Sequence, residues 1–212
     1  MQITILLFAI FLNLLNAIEA GQSSVGGQLL VPTPSAGIQC GEIYESTEKL
    51  NFTILGGSFL TVGATGEFVQ GGGHSALSPR YGLSVDNVVQ FTALTADGKL
   101  RMANSRQNKE LFWALREGGG ETYGVVVTDT YKTHSALRDL FGLPFRVNGT
   151  GSAAVKEPLK VFIRINSSQT DAGWGGYFDL VNSAMLLAYI FPSEIKSLAA
   201  DTVGPLMVFA KK

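Results

Sequence analysis

Two dense glycine blocks constrain this chain more than any other feature. Residues 68–89 read FVQGGGHSALSPRYGLSVDNVV, and residues 116–127 read REGGGETYGVVV. A surface linker scatters glycine among polar residues, whereas here the glycines lead straight into valine-rich, strand-like sequence. Consecutive glycines serve either tight turns, where φ is positive, or a backbone bared so that its amides can approach a ligand. Both uses remain open on the residues alone. A diphosphate needs N–H donors at close range, and Gly71, Gly72 and Gly73 suit that task. The usual nucleotide fingerprints nevertheless fail. Counted from Gly118, the sixth position of G-x-G-x-x-G is Tyr123, and Gly98-Lys99 is followed by Leu100 where a phosphate loop needs Ser or Thr.

The rest of the composition narrows the class. With 212 residues, 46% of them hydrophobic and 16% charged, the chain can bury a core and is globular. A net charge of −1 and no run of Lys or Arg supply no field to gather nucleic acid, so nucleic acid is not expected as a partner. MQITILLFAIFLNLLNAIEA, residues 1–20, has an apolar stretch from Ile3 to Leu15 that is short for a bilayer and ends at the small Ala17 and Ala20. It is read as a secretory signal peptide, the alternatives being a membrane anchor or a buried helix. The expected location is therefore extracellular, with no stable membrane insertion once the signal is removed. Three sequons, at Asn51, Asn148 and Asn166, are compatible with a secreted glycoprotein. Cys40 is the single cysteine, which excludes an internal disulfide and leaves it buried, free or bonded to another chain.

Residues 21–42, rich in Gly, Ser, Pro and Gln, read as a flexible lead-in, and the folded part is expected from residue 43. LNFTIL (50–55) reads as a strand. VDNVVQFTALTADGKLRMAN (85–104) reads as a hairpin turning at Asp97-Gly98. Asn108 is placed to cap a helix whose apolar face is Leu111, Phe112, Ala114 and Leu115, with Trp113 in the core and Gly118–Gly120 as the stop. YGVVVTDTYKT is a strand. Beyond it KVFIRI (160–165) looks like a strand within a stretch, 135–170, that otherwise lacks periodicity. GWGGYFDLV is a glycine-rich strand turning into a helix from Ser183, and a last helix starts near Ser193.

The ordered series LTVGATGEFVQGGGHSALSPRYGLSVDNVV, TADGKL, NKELFWALREGGGETYGVVV and TYKTH resembles the second half of the FAD-binding (PCMH-type) domain of vanillyl-alcohol-oxidase-type flavoproteins. The resemblance is to the fungal berberine-bridge-like, FAD-linked oxidases, and DAGWGGYFDLVNSAMLLAYIFP is similar to the start of their substrate domain. It implies an α+β fold: an antiparallel sheet with helices over 43–134 as a partial FAD-binding domain, a connecting region at 135–170, and the start of an α+β substrate domain at 171–212. It also implies an apparently truncated member, lacking the first half of the flavin domain and the C-terminal part that supplies the tyrosine base. The implied cofactor is FAD in an extended pose, near Thr61, Val62, Gly63, Gly66, Gly71, Gly72, Gly73, His74, Tyr81, Gly82, Val85, Gly124, Val125 and Val126, mostly through backbone. The flavin would take hydride from an alcohol, sugar or secondary metabolite and pass electrons to oxygen. Relatives that tether flavin twice use an upstream histidine motif and a cysteine two residues before the TVG turn. Phe59 stands at that cysteine position, and nothing before residue 51 matches the histidine motif, so FAD is expected to be non-covalent. The alternative to a working oxidase is an inactive member or a non-catalytic secreted binding module.

Of the remaining residues, His74 could carry a proton near neutral pH, although a structural hydrogen bond is the simpler role. His134 reads as a solvated residue. Asp86 and Asn87 read as turn fixers, and Trp174 and Tyr177 lie on the strand that, by the resemblance, faces substrate. No spacing of His, Cys, Asp and Glu suggests a metal site.

Overall fold

The computed structural model describes residues 24–25, 28–31, 35–120, 122–137, 139–148, 153–181, 184–192 and 196–210. The apolar stretch at 1–20, and Gly149 and Thr150 of the second sequon, lie outside them. Helices and antiparallel strands mix along the chain, the expected α+β class. The chain divides into two units, Met1–Ser75 with Leu83–Ala136, and Ala76–Gly82 with Leu137–Lys212.

The first unit is built on a five-stranded sheet in the order β1-β2-β6-β4-β5, from β1 (Ser24–Val25), β2 (Gln28–Val31), β4 (Val88–Leu94), β5 (Leu100–Asn104) and β6 (Val125–Lys132). Helix α1 (Cys40–Lys49) follows β2, and helix α2 (Lys109–Leu115) follows β5. The LNFTIL segment contributes only a short β3 (Phe52–Thr53), paired with β7 (His134–Ser135). Folded structure thus begins before residue 43: β2 pairs with β6, and Ile38 and Cys40 are core residues. Burial pushes the Cys40 thiol above its ordinary pKa, so it is an inert core residue.

The hairpin forms as read, Leu94 opposite Leu100 and Gln90 opposite Asn104. Of its turn dipeptide only Gly98 has positive φ, +74°, and its N–H donates to the Thr95 carbonyl at 2.9 Å. This is a turn closed by a glycine bulge, not a two-residue primed turn. On α2, Phe112 and Leu115 are buried against Phe91, with the Phe91 and Phe112 rings 6.0 Å apart. Trp113 is not core; it is 75% exposed, because one residue past Phe112 a helix has turned about 100° off the face that Leu111, Phe112 and Leu115 share. Asn108 precedes the helix but does not cap it through its oxygen. Its φ is +48°, and its Nδ2 donates to the Met102 carbonyl at 2.7 Å.

The second unit packs α3 (Ala153–Asp171) and α4 (Lys196–Ala210) with a three-stranded antiparallel sheet in the order β8-β10-β9, from β8 (Leu140–Asn148), β9 (Gly175–Val181) and β10 (Ala184–Pro192). Two readings are overturned here. KVFIRI lies in α3: Val155, Pro158, Phe162, Ile165 and Gln169 are buried, a 3-4-3-4 spacing that outweighs the local alternation and leaves Ile163 exposed. The segment expected to be helix from Ser183, itself outside the described residues, is strand over Ala184–Pro192. Met185, Leu187 and Phe191 are buried at period two, and β10 pairs along its length with β8 and from Ala184 to Ile190 with β9. Trp174 is a packing residue, stacked on Phe191 at 5.1 Å, with Nε1 donating to Thr202 Oγ1 at 2.7 Å.

Candidate functional site

The predicted cofactor residues fall into both units. Tyr81 and Gly82 belong to the second, with the one-turn helix Ser78–Tyr81; the others belong to the first. In the first unit the TVG turn is tied to the start of α1. Cys40 N–H donates to the Val62 carbonyl at 2.8 Å, Gly41 N–H to Leu60 at 2.9 Å, and Ala64 N–H to Ile38 at 2.9 Å. A single turn of π-helix, Ala64–Phe68, leads through a 3-10 turn, Val69–Gly71, into the glycine loop. Such π turns are rare and concentrate at functional sites.

The loop is held from behind. Ser84 N–H donates to the Gly73 carbonyl at 2.9 Å, Val85 N–H to Gly72 at 3.0 Å, and Gly72 N–H to Val69 at 3.0 Å. Most of these glycines are accounted for by packing or φ. A side chain at Gly66 would meet the Ala36 carbonyl at 2.7 Å, and one at Gly124 the Leu94 carbonyl at 2.9 Å. Gly73 has φ +77°, and a Cβ there would stand 2.7 Å from that of Ser84. Gly71 is different: it is exposed, its φ is not positive, and a Cβ would meet nothing within 4 Å. Neither turn geometry nor internal packing demands glycine there.

Of the remaining predicted residues, Thr61 and His74 are exposed and Val62, Gly63 and Tyr81 half-buried. Val125, at the start of β6, is 40% exposed, and Tyr123, two residues before it, is 47% exposed. Val85 and Val126 are core residues, so their side chains support the loop from inside. His134 is not simply solvated: its Nε2 lies 2.9 Å from Asn87 Oδ1, and Asn87 Nδ2 donates to the Leu83 carbonyl at 2.9 Å. Asp86 fixes the same turn by accepting from Leu83 N–H at 2.9 Å, and it pairs with Arg116 at 3.0 Å. Tyr177 is partly exposed on β9. Among the described residues no group of three or more His, Cys, Asp or Glu could hold a metal ion.

Three acids beside these loops escaped the sequence reading. Glu67 Oε2 accepts the Gly63 N–H at 3.0 Å. Glu117, at φ +70°, lies along Gly72, where an added methyl would stand 3.2 Å from its Oε1. The only sequence signals are an acid four residues after a glycine and an acid directly before a glycine block. Beneath the π turn, Asp129 is 1% exposed and accepts from Thr65 Oγ1 at 2.9 Å, while its Oδ2 has no partner. Desolvation pushes its carboxyl up to about 8, so it is protonated at neutral pH. Burial, with Asp129 adjacent, also drives the Tyr131 phenol well upward.

No family model matches the chain. Individual proteins do. The FAD-linked oxidoreductase easE of Arthroderma otae is 50% identical over 179 residues, covering 84% of this chain and 25% of that protein. The FAD-linked oxidoreductase ZEB1 of Gibberella zeae is 39% identical over 154 residues, covering 72% of this chain and 27% of its own. Among solved structures, the VAO-type flavoprotein MtVAO615 from Myceliophthora thermophila superposes with a TM-score of 0.79 at 28% identity, over 90% of this chain and 35% of that one. The fold is thus that of a stretch of a VAO-type flavoprotein. The chain matches FAD-linked oxidoreductases over most of its own length, and it spans about a quarter to a third of the length of the relatives it matches.

The loops leave open backbone for such a cofactor at Gly71 but suit its charge only in part. Gly71 leaves room for close approach, and Tyr123 and Val125 offer apolar surface. The Gly63 amide already has an anion on it, and Glu117 sets a second beside Gly72.

Proposed function

We propose that this chain is part of an FAD-dependent oxidoreductase that oxidises an alcohol, sugar or secondary metabolite, with oxygen as electron acceptor. The observation that carries the reading is Gly71, a glycine required by neither its φ nor its neighbours, next to an exposed histidine in a loop held rigid from behind. Its setting in a chain 50% identical to an FAD-linked oxidoreductase supports the choice of ligand. Residues 43–134 would supply part of the flavin domain, 135–170 the connection, and 171–212 the start of the substrate domain. The Gly71–Gly73 backbone, Thr61, His74, Tyr123 and Val125 are the exposed or loop groups that would hold FAD, without a covalent bond. When bound, the flavin supplies the hydride acceptor.

Secretion is part of the same proposal. It draws on the apolar leader and on Asn51, an exposed sequon residue. Asn166, by contrast, is engaged by the Tyr189 hydroxyl at 3.0 Å. Among the described residues no helix is long and apolar enough to cross a membrane. A second reading, a member that binds FAD weakly and turns nothing over, draws on the carboxylates at both glycine turns. Titration of the purified chain into FAD decides between them: saturable quenching of flavin fluorescence supports the oxidoreductase reading, and its absence at any attainable concentration rejects it.

A further inference from the structure

We infer that Glu67 and Glu117 set the charge preference of the glycine loops, turning them away from a diphosphate and toward the uncharged, hydroxyl-bearing parts of a dinucleotide. The inference rests on the FAD reading and deepens it. A phosphate is recognised by amide N–H groups left free to converge on it. At the TVG turn the Gly63 N–H is instead taken by Glu67 Oε2 at 3.0 Å. At the glycine loop the Gly72 N–H is committed to the Val69 carbonyl, and the Glu117 side chain runs along Gly72 with its carboxylate. Neither acid is offset by a cation among its described ion pairs: the adjacent Arg116 is bonded to Asp86 and to the Val85 carbonyl. An anionic ligand arriving at either loop therefore meets a like charge. A ribosyl or ribityl hydroxyl meets an acceptor, since carboxylates accept O–H donors well. The diphosphate of a bound dinucleotide would then have to be neutralised by other groups.

The test uses the full chain, its Glu67→Gln and Glu117→Gln variants and the double variant. Glutamine keeps the shape, and its oxygen can still accept the Gly63 N–H. Glu117→Gly serves as a second variant that also relieves the positive φ. Inorganic pyrophosphate, riboflavin and FAD are the probes, with pyrophosphate followed by calorimetry and the flavins by fluorescence. Removing each charge is expected to tighten pyrophosphate binding by about tenfold at low salt, a gain that shrinks as ionic strength rises and the Debye length falls from roughly 30 to 8 Å. Riboflavin, which has no phosphate, is expected to bind no tighter to the variants than to the parent chain. A salt-independent change, or the absence of any pyrophosphate binding in all variants, overturns the inference. If pyrophosphate gains appear while no variant binds FAD, the charge assignment stands and the FAD reading falls. If FAD binds parent and variants alike and pyrophosphate affinity does not move, the charge assignment falls and the FAD reading stands.

Discussion

One buried polar side chain in each unit makes a useful contrast. In the first, Asp129 sits in the core as a neutral acid with Thr65 as its donor, and so ties β6 to the π turn that leads into the glycine loop. In the second, Gln169 is fully buried in α3, and neither Nε2 nor Oε1 has a hydrogen-bond partner among the described residues. A buried group held by a donor on one oxygen specifies an arrangement even where its other oxygen is unpaired, whereas a group with no partner at all only costs stability. The tie in the first unit is therefore a positioning device for the candidate site, and the amide in the second is a weak point of its fold.

The largest expected effect comes from the proton on Asp129. Its folded pKa, about 8, lies above the ordinary 3.8, so folding favours the protonated form. Below the unfolded value both states are protonated and the contribution is whole. As pH rises, the unfolded chain releases the proton first, and stability falls until the folded carboxyl ionises too, near pH 8. Asp129→Asn keeps an oxygen for the Thr65 hydroxyl and carries no proton to lose. Relative to the parent it should gain on the order of 4 kcal/mol between pH 4 and pH 8. Urea midpoints across that range measure the difference; parallel curves would remove the neutral-acid assignment and with it the contrast between the units.

Thr65→Val attacks the same tie from its other end. Valine preserves volume but removes the Thr65 donor to Asp129, a loss of roughly 1–3 kcal/mol. Hydrogen exchange should quicken at residues 64–73 more than in α3 or β10. Equal quickening everywhere would mean that the bond stabilises the chain without positioning the loop. In the second unit the corresponding change works the other way. Gln169→Met removes two unpaired polar atoms at similar length and should raise stability by about 1–2 kcal/mol. Trp174, 2% exposed in that unit, reports it by fluorescence. A loss of stability would mean that the amide has a partner after all.

How far the fold could be read from the residues divides along the same line. The first unit was legible where backbone geometry is demanding: Gly98 turns the hairpin and Gly72 and Gly73 take positive φ, although α2 ends at Leu115 with Glu117, ahead of the expected glycine stop, in the left-handed conformation. In the second, between Leu159 and Phe191, glycine punctuates only at Gly173, Gly175 and Gly176, and the apolar runs on either side fit strand or helix locally. Only packing across the unit, with Phe162 on Phe178 at 4.9 Å and Met185 beneath α3 and α4, decides that 160–165 is helix and 184–192 is strand. The candidate site was legible as glycine and opaque as charge. Gly71, Gly72 and Gly73 declare themselves, but that Glu67 folds back on Gly63 and Glu117 lies on Gly72 depends on turns closed by contacts such as Gly119 N–H to the Gln70 carbonyl, 3.1 Å.

The smallest effect concerns Glu117, where stability and site chemistry oppose each other. A non-glycine residue at φ +70° costs about 1–2 kcal/mol relative to glycine, while glycine surrenders more unfolded-chain entropy, roughly 0.5–1 kcal/mol. Glu117→Gly should therefore stabilise the first unit by no more than about 1 kcal/mol, as a small rise in its urea midpoint. Glu117→Ala, which also deletes the carboxylate but keeps the strained φ, should show no such rise. If both substitutions stabilise equally, relief of charge beside Gly72 and not of backbone strain is the cause. If glycine alone does, the strained conformation is held in place by the packing of its neighbours, and the carboxylate it projects onto the glycine loop is the only feature of residue 117 that glycine could not supply.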